Sequence, residues 1–111
     1  MARFWDPEIE WRVIGGAPEE VSLIRGLEAM GRYYDDWVET IDDLRAVVAE
    51  VVFEDGERVA ALVRNSGRGR GSGANVDSSF YLACVVRDGR IVVGHEYTTR
   101  EQAIDGARRL A

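Results

Sequence analysis

Few side chains in this 111-residue chain are placed to do chemistry. The clearest group is His95-Glu96-Tyr97, inside the strand-like run from Arg90 to Thr98. Side chains alternate across a strand, so Val92, Gly94 and Glu96 face one way and Val93, His95 and Tyr97 the other. An acid aimed into an apolar interior loses water, which disfavours its charged form and suits it to exchange a proton near neutral pH. Glu96 is therefore the candidate catalytic residue. The plainer alternative is an exposed acid, or one paired with an arginine of a neighbouring strand. His95, the only histidine, is a second candidate as a proton carrier, or else a surface or interface residue. With one histidine and one cysteine there is no metal-ligand cluster, so no metal and no cofactor are expected.

Arg64 closes a strand-like run just before a glycine-rich stretch and could hold a ligand or simply form a salt bridge. Cys84 lies inside the apolar run Tyr81 to Val86, which predicts a buried, inert thiol. Gly67 to Gly73 mixes glycine and arginine as phosphate loops and nucleic-acid tracts do. No Lys-Ser/Thr pair follows it and it holds only Arg68 and Arg70, so a bent strand is expected. All 14 basic residues are Arg, which excludes a Schiff-base lysine. A net charge of −6 argues against a nucleic-acid partner and against an anionic membrane surface.

These residues need elements to position them. Ile9, Trp11 and Val13 alternate with Glu10 and Arg12, a strand pattern over Glu8 to Ile14, which Gly15-Gly16-Ala17-Pro18 breaks. Leu27, Met30, Tyr34, Trp37 and Ile41 recur at three and four, which predicts a helix from Leu27 to Ile41. Leu44–Phe53, Arg58–Asn65, Val76–Arg87 and Arg90–Thr98 read as strands. Asp55-Gly56 and Asp88-Gly89 supply hairpin turns between them. Thr99 with Gln102 makes a capping box for a short last helix whose apolar face is Ala103, Ala107 and Leu110. Helix and antiparallel sheet are segregated, an α+β arrangement. The length fits one domain over residues 1–111. The apolar runs are too short to span a bilayer and the N-terminus lacks a signal-peptide pattern, so a cytoplasmic location is expected.

Taken in order, several segments resemble the SnoaL-like branch of the nuclear transport factor 2-like superfamily. Phe4-Trp5-Asp6-Pro7-Glu8-Ile9-Glu10-Trp11 resembles its F-D-P-D-V-E-W opening, and Gly26-Leu27-Glu28-Ala29 its G-R-E-A helix start. Gly67-Arg68-Gly69-Arg70-Gly71-Ser72-Gly73 resembles G-R-G-R-G-S-G, and Arg87-Asp88-Gly89-Arg90-Ile91 resembles R-D-G-K-I. His95-Glu96-Tyr97 and Glu101-Gln102-Ala103 resemble R-x-Y and E-E-A-L. The resemblance implies a curved antiparallel sheet wrapped into a cone, with helices closing one side and a small-molecule pocket inside. It also implies a homodimer packed through the outer sheet face.

Under that resemblance an acid near Glu96 acts in proton transfer. Trp11, Tyr34, Trp37, Arg64 and Tyr81 are then the expected ligand-binding residues, around a small apolar or polycyclic molecule. The chain is N-terminally short against the family pattern, which usually has a long helix before the opening segment. Exposed apolar surface or tight dimerisation is expected in its place. Two related activities fit poorly. Arg64-Asn65-Ser66 lacks the acid that limonene epoxide hydrolases pair with their arginine, and Trp11 and Tyr81 or Leu82 stand where ketosteroid isomerases carry aspartates. The alternative to a ligand-binding domain is a non-catalytic dimerisation module whose aromatics fill the cone.

Overall fold

The computed structural model describes residues 4–14 and 21–110. The break expected at Gly15-Gly16-Ala17-Pro18 lies outside the described residues. The elements are β1 (Trp5–Ile14), β2 (Val21–Arg25), α1 (Leu27–Thr40), β3 (Ile41–Asp55), β4 (Arg58–Gly69), β5 (Asn75–Arg87), β6 (Arg90–Tyr97) and α2 (Arg100–Arg109). The six strands form one open, curved sheet in the order β2-β1-β6-β5-β4-β3.

The sheet is mixed, which corrects the expectation of a wholly antiparallel one: β1 and β6 run parallel, and the other four pairs are antiparallel. The chain path explains this. From β2 the chain crosses the sheet through α1 to the far edge, and then returns by three hairpins. The return brings β6 in beside β1 in the same direction. A second difference is β2, a five-residue strand that extends the sheet beyond β1.

Local chemistry accounts for the boundaries. Gly26, at φ 84°, turns the chain from β2 into α1 and donates its N–H to the Ile9 carbonyl at 2.9 Å. The helix ends at Thr40, one residue before the expected Ile41, because Ile41 is buried as the first residue of β3. A Cβ on Gly67 would come within 2.6 Å of the Ile41 side chain, so only glycine lets β4 approach here. Three register shifts along β3, one beside Asp43 at φ 55°, bend this edge of the sheet. Asp88 and Gly89 both take positive φ in the last hairpin, the requirement that Asp-Gly meets. Thr99 caps α2 by accepting the Gln102 N–H at 3.2 Å.

The two faces of the sheet carry different cores. On the concave face Trp5, Ile9, Trp11, Val63, Leu82 and Cys84 pack with Met30 of α1. On the convex face Ala60 and Ala83 receive Ala103 and Ala107 of α2, flanked by Phe53, Tyr81 and Tyr97. Small residues on both sides let the helix lie close to the strands. Along the edge strand β3, Val47, Val48 and Val51 remain more than half exposed. No helix among the described residues is long and apolar enough to cross a membrane.

Candidate functional site

The concave face and α1 enclose a cavity of about 640 Å³, a size that suits a small molecule. Its wall is almost entirely apolar and rich in aromatics: Trp5 and Trp11 from β1, Tyr33, Tyr34 and Trp37 from α1, Phe80 from β5. Among the described residues Glu96 is the one acidic or basic side chain that lines it.

Glu96 is held from two sides. The Trp11 indole Nε1–H donates to its Oε2 at 2.7 Å, and the Tyr33 hydroxyl donates to the same oxygen at 3.1 Å. Trp11 can reach because β1 and β6 are parallel neighbours with Trp11 opposite Gly94. The indole lies against Gly94, in space that any side chain at that position would claim. Tyr33 reaches down from α1. Burial pushes the Tyr33 phenol up to about 12, with the Glu96 charge adding to the effect and the Trp37 side chain opposing it. The phenol thus stays protonated, and stays a donor, at any physiological pH.

A second polar patch lies farther along the sheet. Asn65 and Ser78 are cross-strand partners on β4 and β5, and both line the cavity. Glu96 pairs with Leu82, and Ser78 is four residues from Leu82 along β5. At about 3.3 Å per residue the two polar ends stand roughly 13 Å apart. Tyr34 packs edge-on to Trp5, with ring centroids 6.2 Å apart, and Trp37 stands partly exposed.

Of the residues expected at the site, the fold brings Glu96, Trp11, Tyr34 and Trp37 together around the cavity. It does not bring in His95, Tyr81 or Arg64. His95 is the register partner of Arg12 and faces away from the cavity. Burial, then the Arg12 charge, lower its pKa. Tyr81 pairs with Tyr97 and packs in the convex core beside α2, because Phe80 and Leu82 take the concave positions of β5. Arg64 is exposed, with its Nε 3.9 Å from Asp77. Tyr33, Trp5 and Asn65 were not expected. Tyr33 lies three residues after Met30, a helical spacing that puts it on the same face. Cys84 is buried in the concave core, and its thiol is pushed up to about 11 by that burial. Among the described residues no three His, Cys, Asp or Glu side chains group closely enough to hold a metal ion.

The family model of the SnoaL-like domain matches residues 1–94. No curated protein sequence matches the chain. Solved structures share the fold. A candidate SnoaL-like polyketide cyclase from Mesorhizobium loti superposes with TM-score 0.60 at 19% identity, over 86% of this chain and 80% of that one. A protein with a ketosteroid isomerase-like fold from Catenulispora acidiphila, in complex with trimethylamine, gives TM-score 0.69 at 13% identity, over 99% and 84%. A nuclear transport factor 2-like protein of unknown function from Exiguobacterium gives TM-score 0.67 at 17% identity, over 89% and 80%.

Proposed function

Because the chain belongs to the SnoaL-like domain family, we propose that its cavity binds a small, largely apolar molecule and that Glu96 exchanges a proton with it. The observation that carries this reading is one carboxyl group fixed by Trp11 and Tyr33 at the wall of an aromatic cavity. The two bonds fix the position of the carboxyl group, and a carboxyl group fixed at a cavity wall can exchange a proton with a ligand in contact with it. On a carbonyl compound, Glu96 would take a proton from the carbon next to the carbonyl, leaving an enolate, and return that proton to carbon. The Asn65–Ser78 pair favours a ligand with a second polar group roughly 13 Å from the first, about the length of a fused polycycle.

The test uses 2-tetralone as a probe in deuterated buffer. Wild-type protein is expected to speed deuterium exchange beside the carbonyl, followed by NMR, and Glu96→Gln is expected to lose that acceleration while keeping its circular dichroism. Equal rates for both proteins would remove Glu96 from the reaction.

A second reading rests on the edge strand β3, where Val47 and Val51 are exposed. In it the sheet serves homodimerisation, and the cavity is incidental. Native mass spectrometry of freshly purified protein separates the two. A retained small molecule supports the first, and an empty dimer supports the second.

A further inference from the structure

We infer that the cavity takes its ligand end-on, with the reacting group innermost and a hydrophilic substituent left outside, in an opening framed by the last turn of α1, by β3 and by the Asn65–Ser78 pair. The substrate class is then an apolar ring system extended at one end by a hydroxylated or ether-linked chain. The inference rests on the reading of the cavity as a ligand site and adds which end of the ligand meets water.

Exposure is distributed unevenly along the wall. Trp5, Trp11, Met30, Val63 and Leu82 line the cavity and are each less than a tenth exposed. Two of them bracket Glu96: Trp11 donates to its carboxyl group, and Leu82 is its partner across β5 and β6. Toward the other end the lining residues reach water. Trp37 is 45% and Val48 59% exposed, and Ala46, Ser78 and Ser79 are exposed with them. Three of these positions are neighbours in the sheet: Ala46 pairs with Asn65, Asn65 with Ser78, and Val48 with Val63 one step along. Phe4, next to Trp5, is the one exposed lining residue elsewhere among the described residues.

The opening has a fixed frame, and its chemistry changes at the rim. β3 is an edge strand, with no described strand beyond it, and register shifts on both sides of Ala46 and Val48 bend it there. Arg70, in the β4–β5 turn, ties the end of α1 to the same corner. Its backbone N–H donates to the Thr40 carbonyl at 2.9 Å, and its guanidinium donates to the Val38 carbonyl at 3.3 Å and to Asp42 at 2.9 Å. Trp37 is thereby held at the rim, where its ring can cover an apolar body. Asn65, Ser78 and Ser79 supply neutral donors and acceptors where the ligand leaves the cavity. A hydrophilic chain that ran inward instead would exchange water for an aromatic wall, which polar groups without partners resist.

The probes are 2-tetralone and two derivatives with the same methoxyethoxyethoxy chain, one substituted at the 6-position, far from the carbonyl, and one at the 8-position, close to it. Binding is read from intrinsic tryptophan fluorescence, since Trp5, Trp11 and Trp37 all line the cavity. The 6-substituted probe is expected to bind within a few-fold of 2-tetralone, and the 8-substituted one roughly tenfold or more weakly, because its chain is forced against the apolar wall. Location is read with a chloroacetamide at the end of the 6-chain. Cys84 is buried, so a cysteine introduced at the surface is the reactive one. Ser78→Cys is expected to be alkylated much faster than Phe4→Cys, and excess 2-tetralone to slow it. Weak binding of the 6-substituted probe, or equal tolerance of both chains, overturns the orientation while the ligand site stands. Equal or faster labelling of Phe4→Cys puts the opening elsewhere and overturns it too. If none of the probes binds, 2-tetralone included, the ligand-site reading falls and takes the inference with it.

Discussion

The Trp11 indole lies directly against Gly94, and only the missing side chain at Gly94 lets its Nε1–H reach Glu96 across the β1–β6 seam. Gly94→Ala places a methyl group in the space that the indole fills. The ring must move, and the 2.7 Å bond to Glu96 with it. A loss of roughly 1–3 kcal/mol is expected from overpacking. Urea denaturation gives the stability change, and a red-shifted tryptophan emission reports the displaced indole. An alanine variant as stable as the parent, with unchanged emission, would show that the indole has room to spare.

Tyr33 makes an alkaline signature. Its phenol ionises near 10 when the chain is unfolded and near 12 when folded. Between these values the unfolded chain has lost a proton that the folded one keeps, so stability falls as pH rises from 10 to 12. After allowance for partial exposure the loss is on the order of 1–2 kcal/mol. Tyr33→Phe should lower stability at pH 7 by about 1 kcal/mol through the lost hydrogen bond, and then show a flatter decline above pH 10. Denaturant midpoints at pH 7, 9.5 and 11.5 for both proteins decide it. Parallel curves would mean that the phenol is not buried against Glu96.

Cys84 should resist thiol reagents. It is buried in the concave core and titrates near 11, so little thiolate exists at pH 8 and little of it is reachable. Reaction with a chromogenic disulfide is expected to take hours in buffer and seconds in concentrated guanidinium. Rapid labelling of the native protein would indicate that β5 opens easily.

Much of this architecture was legible because its signals are local. Alternation put Gly94 and Glu96 on one face, Asp-Gly pairs marked two hairpins, and Thr99 marked the start of α2. What escaped depends on partners distant in sequence. Nothing near Trp11 announces that β6 will arrive parallel to it, so its bond to Glu96 was not foreseeable. The face of Tyr81 was equally hidden, since it follows from pairing with Tyr97 rather than from its own neighbours. Tyr33 is a different case. Stepping by four from Met30 selects Tyr34, but the apolar face of α1 is wide enough to take both tyrosines.

The parallel seam between the first and last strands also governs how the protein comes into being. Trp11 and Glu96 are separated by 85 positions, and their contact cannot form until nearly the whole chain is available. Pairings this distant close slowly, because the intervening loop must give up its freedom before the contact rewards it. On the ribosome, β1 must therefore wait, apolar and unmatched on one edge, while β3, β4 and β5 form hairpins from their own neighbours. The cavity is complete only once β6 has paired with β1, so its ability to hold a ligand is a measure of that pairing.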